Sequence, residues 1–235
     1  MHAVKYRPEI AVAIGKCGTC LSFPTEDLYR CLVRVLVYLG RTPSLGMTYS
    51  KNSEKPELHA YADSDWSTTR STTGFVIFLA GAAICVASRR QHCITMSSTE
   101  AELVALADLA IELLYIKELV TFMGYKVESE IPVYTDNKGA YDLCHRYTSA
   151  QHSRHVDRKV FKMRELRGAG VVTVDHVPTD KNPADIFTKI LKRQPFEQHR
   201  KTVMNNACEP RRASHVTHRA GGAEQPPVAK LPHSG

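Results

Sequence analysis

Four acidic side chains stand where a carboxylate could do chemistry. Asp63 and Asp136 each end a stretch with strand-like alternation. Glu102 falls within the first two turns of an expected helix, and Asp185 opens another. Carboxylates that lie close together repel one another unless cations separate them, and an all-oxygen ligand set favours Mg²⁺ or Mn²⁺. Two such ions about 3.5–4 Å apart can activate a water and stabilise the leaving oxygen of a phosphodiester. Each acid alone is also explained by an ordinary turn or helix start, so the hypothesis depends on the four converging.

The helix that carries Glu102 offers two glutamates, and only one of them needs a partner. The stretch Ser97–Leu106 begins with a Ser/Thr cap and has acids at positions 100 and 102. An acid in the first turn complements the positive end of the helix dipole, which accounts for Glu100. Helical periodicity places Glu102 near the face of Leu106 and Leu109, against the body of the fold. A carboxylate held there needs a cation or a donor.

The acids would be positioned by alternating strands and helices. Strands are expected over 58–63, 74–79, 83–88, 131–136 and 171–177, with a hairpin around Gly81. Helices are expected over 98–123, 137–146, 156–167 and from Pro183 onward, the first being open to a break near Glu112. The carboxyl ends of parallel strands meet at one edge of an open α/β sheet. Asp63 and Asp136 are therefore expected to be neighbours if their strands are adjacent.

The rest of the chain flanks this block. Residues 1–50 are predicted to form two helices that expose an apolar face. From Pro195 to Gly235 large apolar residues almost vanish, which predicts a disordered tail. The predicted organisation is a helical segment at 1–50, an α/β domain at 58–192 and a tail at 195–235.

Composition limits the classes of function. The chain has 235 residues, is 43% hydrophobic, and carries a net charge of +7 with a pI of about 9.0. One sizeable domain with appendages is expected, and the basic balance favours an anionic partner such as nucleic acid. No run of about 18 apolar residues is present and charges interrupt the N-terminus, so neither a membrane partner nor a secretory signal is expected. The seven cysteines are expected to be reduced.

Seven short motifs occur in a fixed order over residues 58–192. They are YADSDW at 61–66, RSTTGF at 70–75, SRRQ at 88–91, SSTEAE at 97–102, YTDN at 134–137, SRHVD at 153–157 and ADIFTK at 184–189. In this order and at about this spacing they resemble the ribonuclease H domain of Ty1/copia-type retrotransposon Pol polyproteins. Residues 6–47 resemble the end of the reverse transcriptase region of the same element.

The resemblance implies an α/β, ribonuclease H-like fold, in which a mixed five-stranded sheet is flanked by helices. It implies a Mg²⁺-dependent endonuclease that hydrolyses the RNA strand of RNA–DNA hybrids with two Mg²⁺ or Mn²⁺ ions. The implied catalytic and metal-binding residues are Asp63, Glu102, Asp136 and Asp185. Asp63 is preferred over Asp65 because it ends the strand, and that choice stays open. The implied partners are the hybrid and the reverse transcriptase portion of the polyprotein, in an intracellular setting, either a cytoplasmic particle or the nucleus.

Four residues are candidates for contacting nucleic acid, namely Arg70, Arg89, Arg90 and Asn137, with a solvated basic loop as the alternative for the arginines. The loop from Val177 to Asp185 has no histidine, so His176 is expected to be a strand residue and the metals to supply most of the catalysis. Two other functions remain open. One is a catalytically silent transposon-derived remnant that folds and binds nucleic acid. The other is an integrase-like strand-transfer nuclease, which would have three acids at a different spacing.

Overall fold

A mixed five-stranded sheet forms the centre of the computed structural model, which describes residues 5–49, 57–127, 130–146 and 154–205. The strands are β1 (Leu58–Asp65), β2 (Thr72–Leu79), β3 (Ala82–Arg90), β4 (Ile131–Thr135) and β5 (Val172–His176). Their order is β3-β2-β1-β4-β5. Strand β2 is antiparallel to both of its neighbours, β1 and β3, whereas β4 is parallel to β1 and β5 is parallel to β4. This is the ribonuclease H-like sheet that the resemblance implied. One detail was wrong: β1 continues through Asp65, so Asp63 does not end its strand.

The β2–β3 hairpin closes as the sequence predicted. Its two turn residues, Ala80 and Gly81, have φ of 51° and 80°. Two consecutive left-handed residues make a turn whose twist matches that of the paired strands.

Six α-helices and three short 3₁₀ helices accompany the sheet in the described part of the chain. The α-helices are α1 (Ala11–Thr19), α2 (Glu26–Arg41), α3 (Ser98–Phe122), α4 (Lys138–His145), α5 (Arg154–Gly168) and α6 (Arg193–Met204). The 3₁₀ helices are Pro8–Ile10, Thr179–Lys181 and Pro183–Phe187, so the helix expected from Pro183 is a short 3₁₀ segment. The helix α3 runs unbroken past Glu112, so the considered break does not occur. Among the described helices, none combines the length and the apolar character that crossing a bilayer requires.

Both faces of the sheet are covered. On one face the apolar core lies between the strands and α3, α4 and α5, and it includes Leu103, Leu106 and Met163. A second, smaller core lies on the opposite face. Its buried members are Ala11, Val76, Phe78, Ala83, Ile186, Phe187 and Val203. Because Ala11 belongs to α1 and Val203 to α6, segments from both ends of the described chain pack on the sheet.

The helix α6 corrects the expected start of the disordered tail. Residues 195–204 lie in α6, where His199, Val203 and Met204 are buried. Sequence reasoning missed this helix because its side chains are mostly polar and Phe196, Val203 and Met204 are its only large apolar residues. The remainder of the predicted tail, 206–235, lies outside the described residues.

The helix α2 is the element with the least cover. None of its side chains is fully buried, and Tyr29, Leu36 and Val37 are exposed, as the predicted apolar face of this segment requires. It is tied to the body by polar contacts: Arg7 donates to the backbone oxygen of Thr42 (3.0 Å), just beyond its C-terminus.

Candidate metal centre

The strand order brings two of the four acids together. Strands β1 and β4 are parallel neighbours, with Ala60 opposite Val133 and Tyr61 opposite Tyr134. Continuing that register places Asp63 beside Asp136. The adjacency that the sequence left conditional is therefore present in the fold.

Glu102 reaches the same point from α3, which packs on one face of the sheet. Its Oε1 accepts hydrogen bonds from the Ser64 backbone nitrogen (3.0 Å) and hydroxyl (3.1 Å). Its Oε2 accepts a longer bond from the Thr135 hydroxyl (3.5 Å). These donors, on the strands that carry Asp63 and Asp136, hold the Glu102 carboxylate in one orientation.

Asp63, Glu102 and Asp136 form a group in which one carboxylate oxygen from each residue lies within 4.8 Å of the others. Asp63 and Glu102 are buried, at 2% and 4% exposure, and Asp136 is half-buried. Three hard oxygen donors that converge in this way fit a Mg²⁺ or Mn²⁺ ion. Asp65 is not a member of the group, so the geometry favours Asp63 of the two strand acids.

Asp185 lies outside this three-residue group but interacts with it through Asp63 and Lys189. Lys189 Nζ lies 2.9 Å from Asp185 Oδ1 and 3.6 Å from Asp63 Oδ2. The Thr188 hydroxyl also donates to Asp63 Oδ2. The 3₁₀ segment that carries Asp185 is fixed to β1 by Asn182, whose Nδ2 donates to the Ala62 backbone oxygen (2.9 Å). Lys189 is a site residue that sequence reasoning missed, although its place four residues after Asp185 in the ADIFTK motif was a signal.

Gly74 permits the close approach of that 3₁₀ segment. It lies opposite Asp63 on β2. A Cβ at this position would come within 2.5 Å of Thr188 Cγ2 and 2.9 Å of Phe187 Cβ. Any side chain here would push away the segment that supplies Thr188 and Asp185.

The two glutamates of α3 lie in different surroundings. Glu100 Oε2 accepts from the Met96 backbone nitrogen (2.8 Å), while the Ser97 hydroxyl accepts from the Glu100 nitrogen (3.2 Å). Ser97 thus caps the helix, and the Glu100 carboxylate accepts from the residue before the cap, so both bonds stabilise the start of the helix. Of the two glutamates, only Glu102 lies close to Asp63 and Asp136.

Burial and mutual repulsion perturb the carboxyl groups. Burial, followed by the charge of Asp185, raises the pKa of Asp63 to about 7, although Lys189 and Thr188 oppose the shift. Burial and the charges of Asp63 and Asp136 raise the pKa of Glu102 well above its ordinary value. Burial also raises the pKa of Asp185. Although burial opposes it, the pKa of Lys189 is raised by the charges of Asp63 and Asp185. The negative charge of the group therefore exceeds what Lys189 compensates, and a bound divalent cation would relieve it.

Without divalent ions, the stability of the protein is expected to fall as the pH rises from about 4 to about 7. The ordinary pKa of Asp63 is 3.8 and its folded value is about 7, so the folded chain holds this proton more tightly than the unfolded chain. The stabilisation is complete below the unfolded value and is lost as the pH passes through the folded value. At 1.36 kcal/mol per pKa unit, the contribution of Asp63 has an upper limit of roughly 4 kcal/mol.

The measurement is the melting temperature in EDTA across this pH range, for the wild type and for Asp63→Asn. The variant should show a flatter profile, and Mg²⁺ should reduce the fall in the wild type. Burial lowers the pKa of His59 and of His199, which works in the opposite direction, so the comparison with the variant separates Asp63 and the groups coupled to it from these histidines. Parallel profiles for the two proteins would contradict the expectation.

The residues predicted to contact nucleic acid occupy different surroundings. Arg89 points to the α3 side, 3.8 Å from Asp108 and 3.7 Å from Glu112. Asn137 caps α4, because its Oδ1 accepts from the Ala140 nitrogen (2.9 Å). Arg70 and Arg90 border a cleft beside the carboxylates. The fold thus gives Arg89 and Asn137 structural roles and leaves Arg70 and Arg90 available to a ligand.

His176 lies at the end of β5, as expected of a strand residue. It is also a neighbour of the site, because its Nε2 donates to the Asp136 backbone oxygen (3.1 Å).

Comparisons with known proteins find retrovirus-related Pol polyproteins among the relatives of this chain. A scan of protein-family models gave no match. The chain is 32% identical over 201 residues to the retrovirus-related Pol polyprotein from transposon RE2 of Arabidopsis thaliana, an alignment that covers 84% of this chain and 14% of the relative. It is 29% identical over 195 residues to the corresponding polyprotein from transposon TNT 1-94 of Nicotiana tabacum, covering 81% of this chain and 14% of the relative.

Solved structures with a similar arrangement are ribonucleases H. LC11-RNase H1, isolated from compost, aligns with a TM-score of 0.46 and 17% identity over 57% of this chain and 93% of its own. The same enzyme in complex with an RNA/DNA hybrid aligns with a TM-score of 0.42 and 18% identity, over 56% of this chain and 94% of its own. The fold assignment rests on the strand order and register described above.

Proposed function

This chain belongs to the retrovirus-related Pol polyproteins of copia-type transposons, and we propose that its sheet domain hydrolyses the RNA strand of RNA–DNA hybrids. The chain spans 13–14% of the length of the first relatives it matches, so the proposal concerns this domain and not the whole polyprotein. The observation that carries it is the convergence of Asp63, Glu102 and Asp136 within 4.8 Å. Two of these three carboxyl groups are buried, and a buried carboxylate costs stability when it ionises without a cation.

Asp63, Glu102 and Asp136 would hold a Mg²⁺ or Mn²⁺ ion. When bound, such an ion supplies charge neutralisation at the phosphate and an acidified water. The protein's own contribution is orientation. Ser64 and Thr135 fix the Glu102 carboxylate, and Thr188 fixes that of Asp63. Ligands held in this way need no rearrangement on binding, which favours both affinity and rate.

We retain two ions as part of the proposal, with Asp185 contributing to the second. The ammonium of Lys189 now lies between Asp63 and Asp185 and partly neutralises them. A second ion shared by these two carboxylates would compete with that ammonium. The second ion is therefore expected to bind more weakly than the one at the three-carboxylate group.

The test is cleavage of a labelled RNA–DNA hybrid by the full chain. The RNA strand should be cut in Mg²⁺ or Mn²⁺ and left intact in EDTA, and single-stranded RNA and duplex DNA should resist. A folded chain that binds Mn²⁺ and the hybrid without cutting the RNA would overturn the proposal. That result would favour the alternative of a catalytically silent transposon-derived remnant.

The reverse transcriptase portion of the polyprotein remains the proposed protein partner. Support comes from α2, which exposes Tyr29, Leu36 and Val37 in the part of the chain that resembles the end of that region. Exposed apolar faces of this kind are typical of surfaces that another segment covers.

A further inference from the structure

A cleft of about 290 Å³ adjoins the carboxylate group on the face of the sheet that carries α1. One wall is α1, with Gly15 and Lys16, and the other consists of the ends of β1, β2 and β3. Thr188 also borders the cleft, and its hydroxyl donates to Asp63. Thr188 therefore connects the cleft to Asp63, although none of the four candidate metal ligands lines the cleft itself.

In the strand wall, residues of β1, β2 and β3 lie side by side across the sheet. Asp65 lies opposite Thr72, and Thr72 lies opposite Arg90. Directly opposed residues of antiparallel strands project from the same face. Arg90 is thus on the α1 side, whereas its neighbour Arg89 sends its guanidinium to Asp108 and Glu112 on the other side.

The cleft has an excess of positive charge that the described residues do not neutralise. Four cations border it, Lys16, Arg70, Arg89 and Arg90, and within the described ranges only Arg89 forms ion pairs, with Asp108 and Glu112. Arg90 makes only a long hydrogen bond to the Thr69 hydroxyl (3.5 Å). Asp65 supplies one opposing charge, and hydroxyls such as those of Ser67 and Thr72 supply further donors. Unpaired cations interspersed with hydroxyls suit a phosphodiester backbone.

The α1 wall is fixed in place. Ala11 and Val12 are buried, and Ala11 packs in the core that contains Val76 and Phe187. Lys16, just over one turn further along α1, therefore projects from a rigid support that faces the strands.

We propose that this cleft binds the phosphate backbone of the duplex on which the carboxylates act, with Lys16, Arg70 and Arg90 as the phosphate contacts. The proposal rests on the proposed function for the identity of the duplex. It makes α1, a helix outside the predicted 58–192 domain, one side of the substrate site. Contacts of this kind are independent of sequence, as a nuclease that acts on any hybrid requires.

The experiment measures binding and needs no cleavage. A fluorescein-labelled RNA–DNA hybrid is titrated with the full chain in EDTA at several salt concentrations, and the anisotropy gives the Kd. Lys16→Gln and Arg90→Gln are each expected to raise the Kd by roughly 5- to 10-fold and to reduce the slope of log Kd against log salt by about 1. Lys162→Gln is the matched control, since Lys162 is an exposed lysine on α5, across the sheet, and should change the Kd by less than about twofold.

A third variant tests the cleft without removing any side chain of the native protein. A side chain at Gly15 would meet no atom within 4 Å, so Gly15→Glu adds an acid to the cleft without steric conflict. It should weaken hybrid binding while the melting temperature is unchanged or higher, because Gly is a poor helix former.

The outcomes separate the two proposals. If the wild type binds the hybrid in EDTA and Lys16→Gln, Arg90→Gln and Gly15→Glu all bind like the control, the cleft proposal is wrong whether or not the protein cleaves RNA. If these variants weaken binding but the wild type does not cleave in Mg²⁺, the cleft stands and the proposed activity fails. A wild type that does not bind the hybrid at all overturns the cleft proposal.

Discussion

Replacing Glu102 by Gln is expected to slow RNA cleavage by about 10²–10³-fold, since a charged metal ligand contributes several kcal/mol and each 1.36 kcal/mol is tenfold in rate. The amide can still accept the hydrogen bond from the Ser64 nitrogen, so the geometry of the site should survive. The charge that is lost is the one that burial, Asp63 and Asp136 already disfavour. Without metal ions, the variant should therefore melt at the same temperature as the wild type or higher at neutral pH.

The matched control is Glu100→Gln, two residues earlier on α3. It removes the same charge, and its side chain bonds to the Met96 nitrogen at the helix start instead of facing Asp63. It should keep its cleavage rate within about threefold and lose at most about 1 kcal/mol of stability, as capping residues do. Cleavage is measured by single-turnover kinetics and stability by thermal melting. Equal loss of rate in the two variants would contradict the separation of roles on this helix.

Ending the chain at residue 192 is expected to destabilise the protein by about 4 kcal/mol or more, on the basis of 1.5–3 kcal/mol for each large apolar side chain that loses its burial. The deletion removes α6, whose Val203 and Met204 are 1% and 0% exposed. It uncovers Phe78 and Phe187 on the second face of the sheet. The backbone bond from the Thr48 nitrogen to the Met204 oxygen (3.0 Å) is lost as well.

The comparison is with a chain that ends at residue 205 and keeps every described residue. Chemical denaturation of the two proteins gives the difference in unfolding free energy, and the shorter chain should also aggregate more readily because an apolar face is exposed. Similar unfolding curves would mean that the 58–192 block is stable without α6 and that the division predicted from the sequence is the physical one.

The sequence by itself determined the strands, the hairpin and the start of α3, because these depend on neighbouring residues. Alternation predicts a strand, Gly81 marks the hairpin turn, and a Ser cap followed by Glu100 in the first turn marks the start of the helix. Helical periodicity also separated Glu100 from Glu102, since the side of the helix on which each one lies is a local property. The motif resemblance supplied the sheet type and the roles implied for the four candidate acids.

Only the tertiary structure decided what depends on distant parts of the chain. Whether β1 and β4 are adjacent, and so whether Asp63 meets Asp136, is a matter of strand order. Lys189 lies between Asp63 and Asp185 because Gly74 leaves room for the 3₁₀ segment against β2, a contact across more than 100 residues. The polar sequence of α6 gives little sign of a packed helix, since its few apolar residues acquire a partner only when β2 and the segment Pro183–Phe187 form the face they cover. Local propensity acts over a few residues, whereas the site and its cleft are assembled by packing between elements that are far apart in the chain.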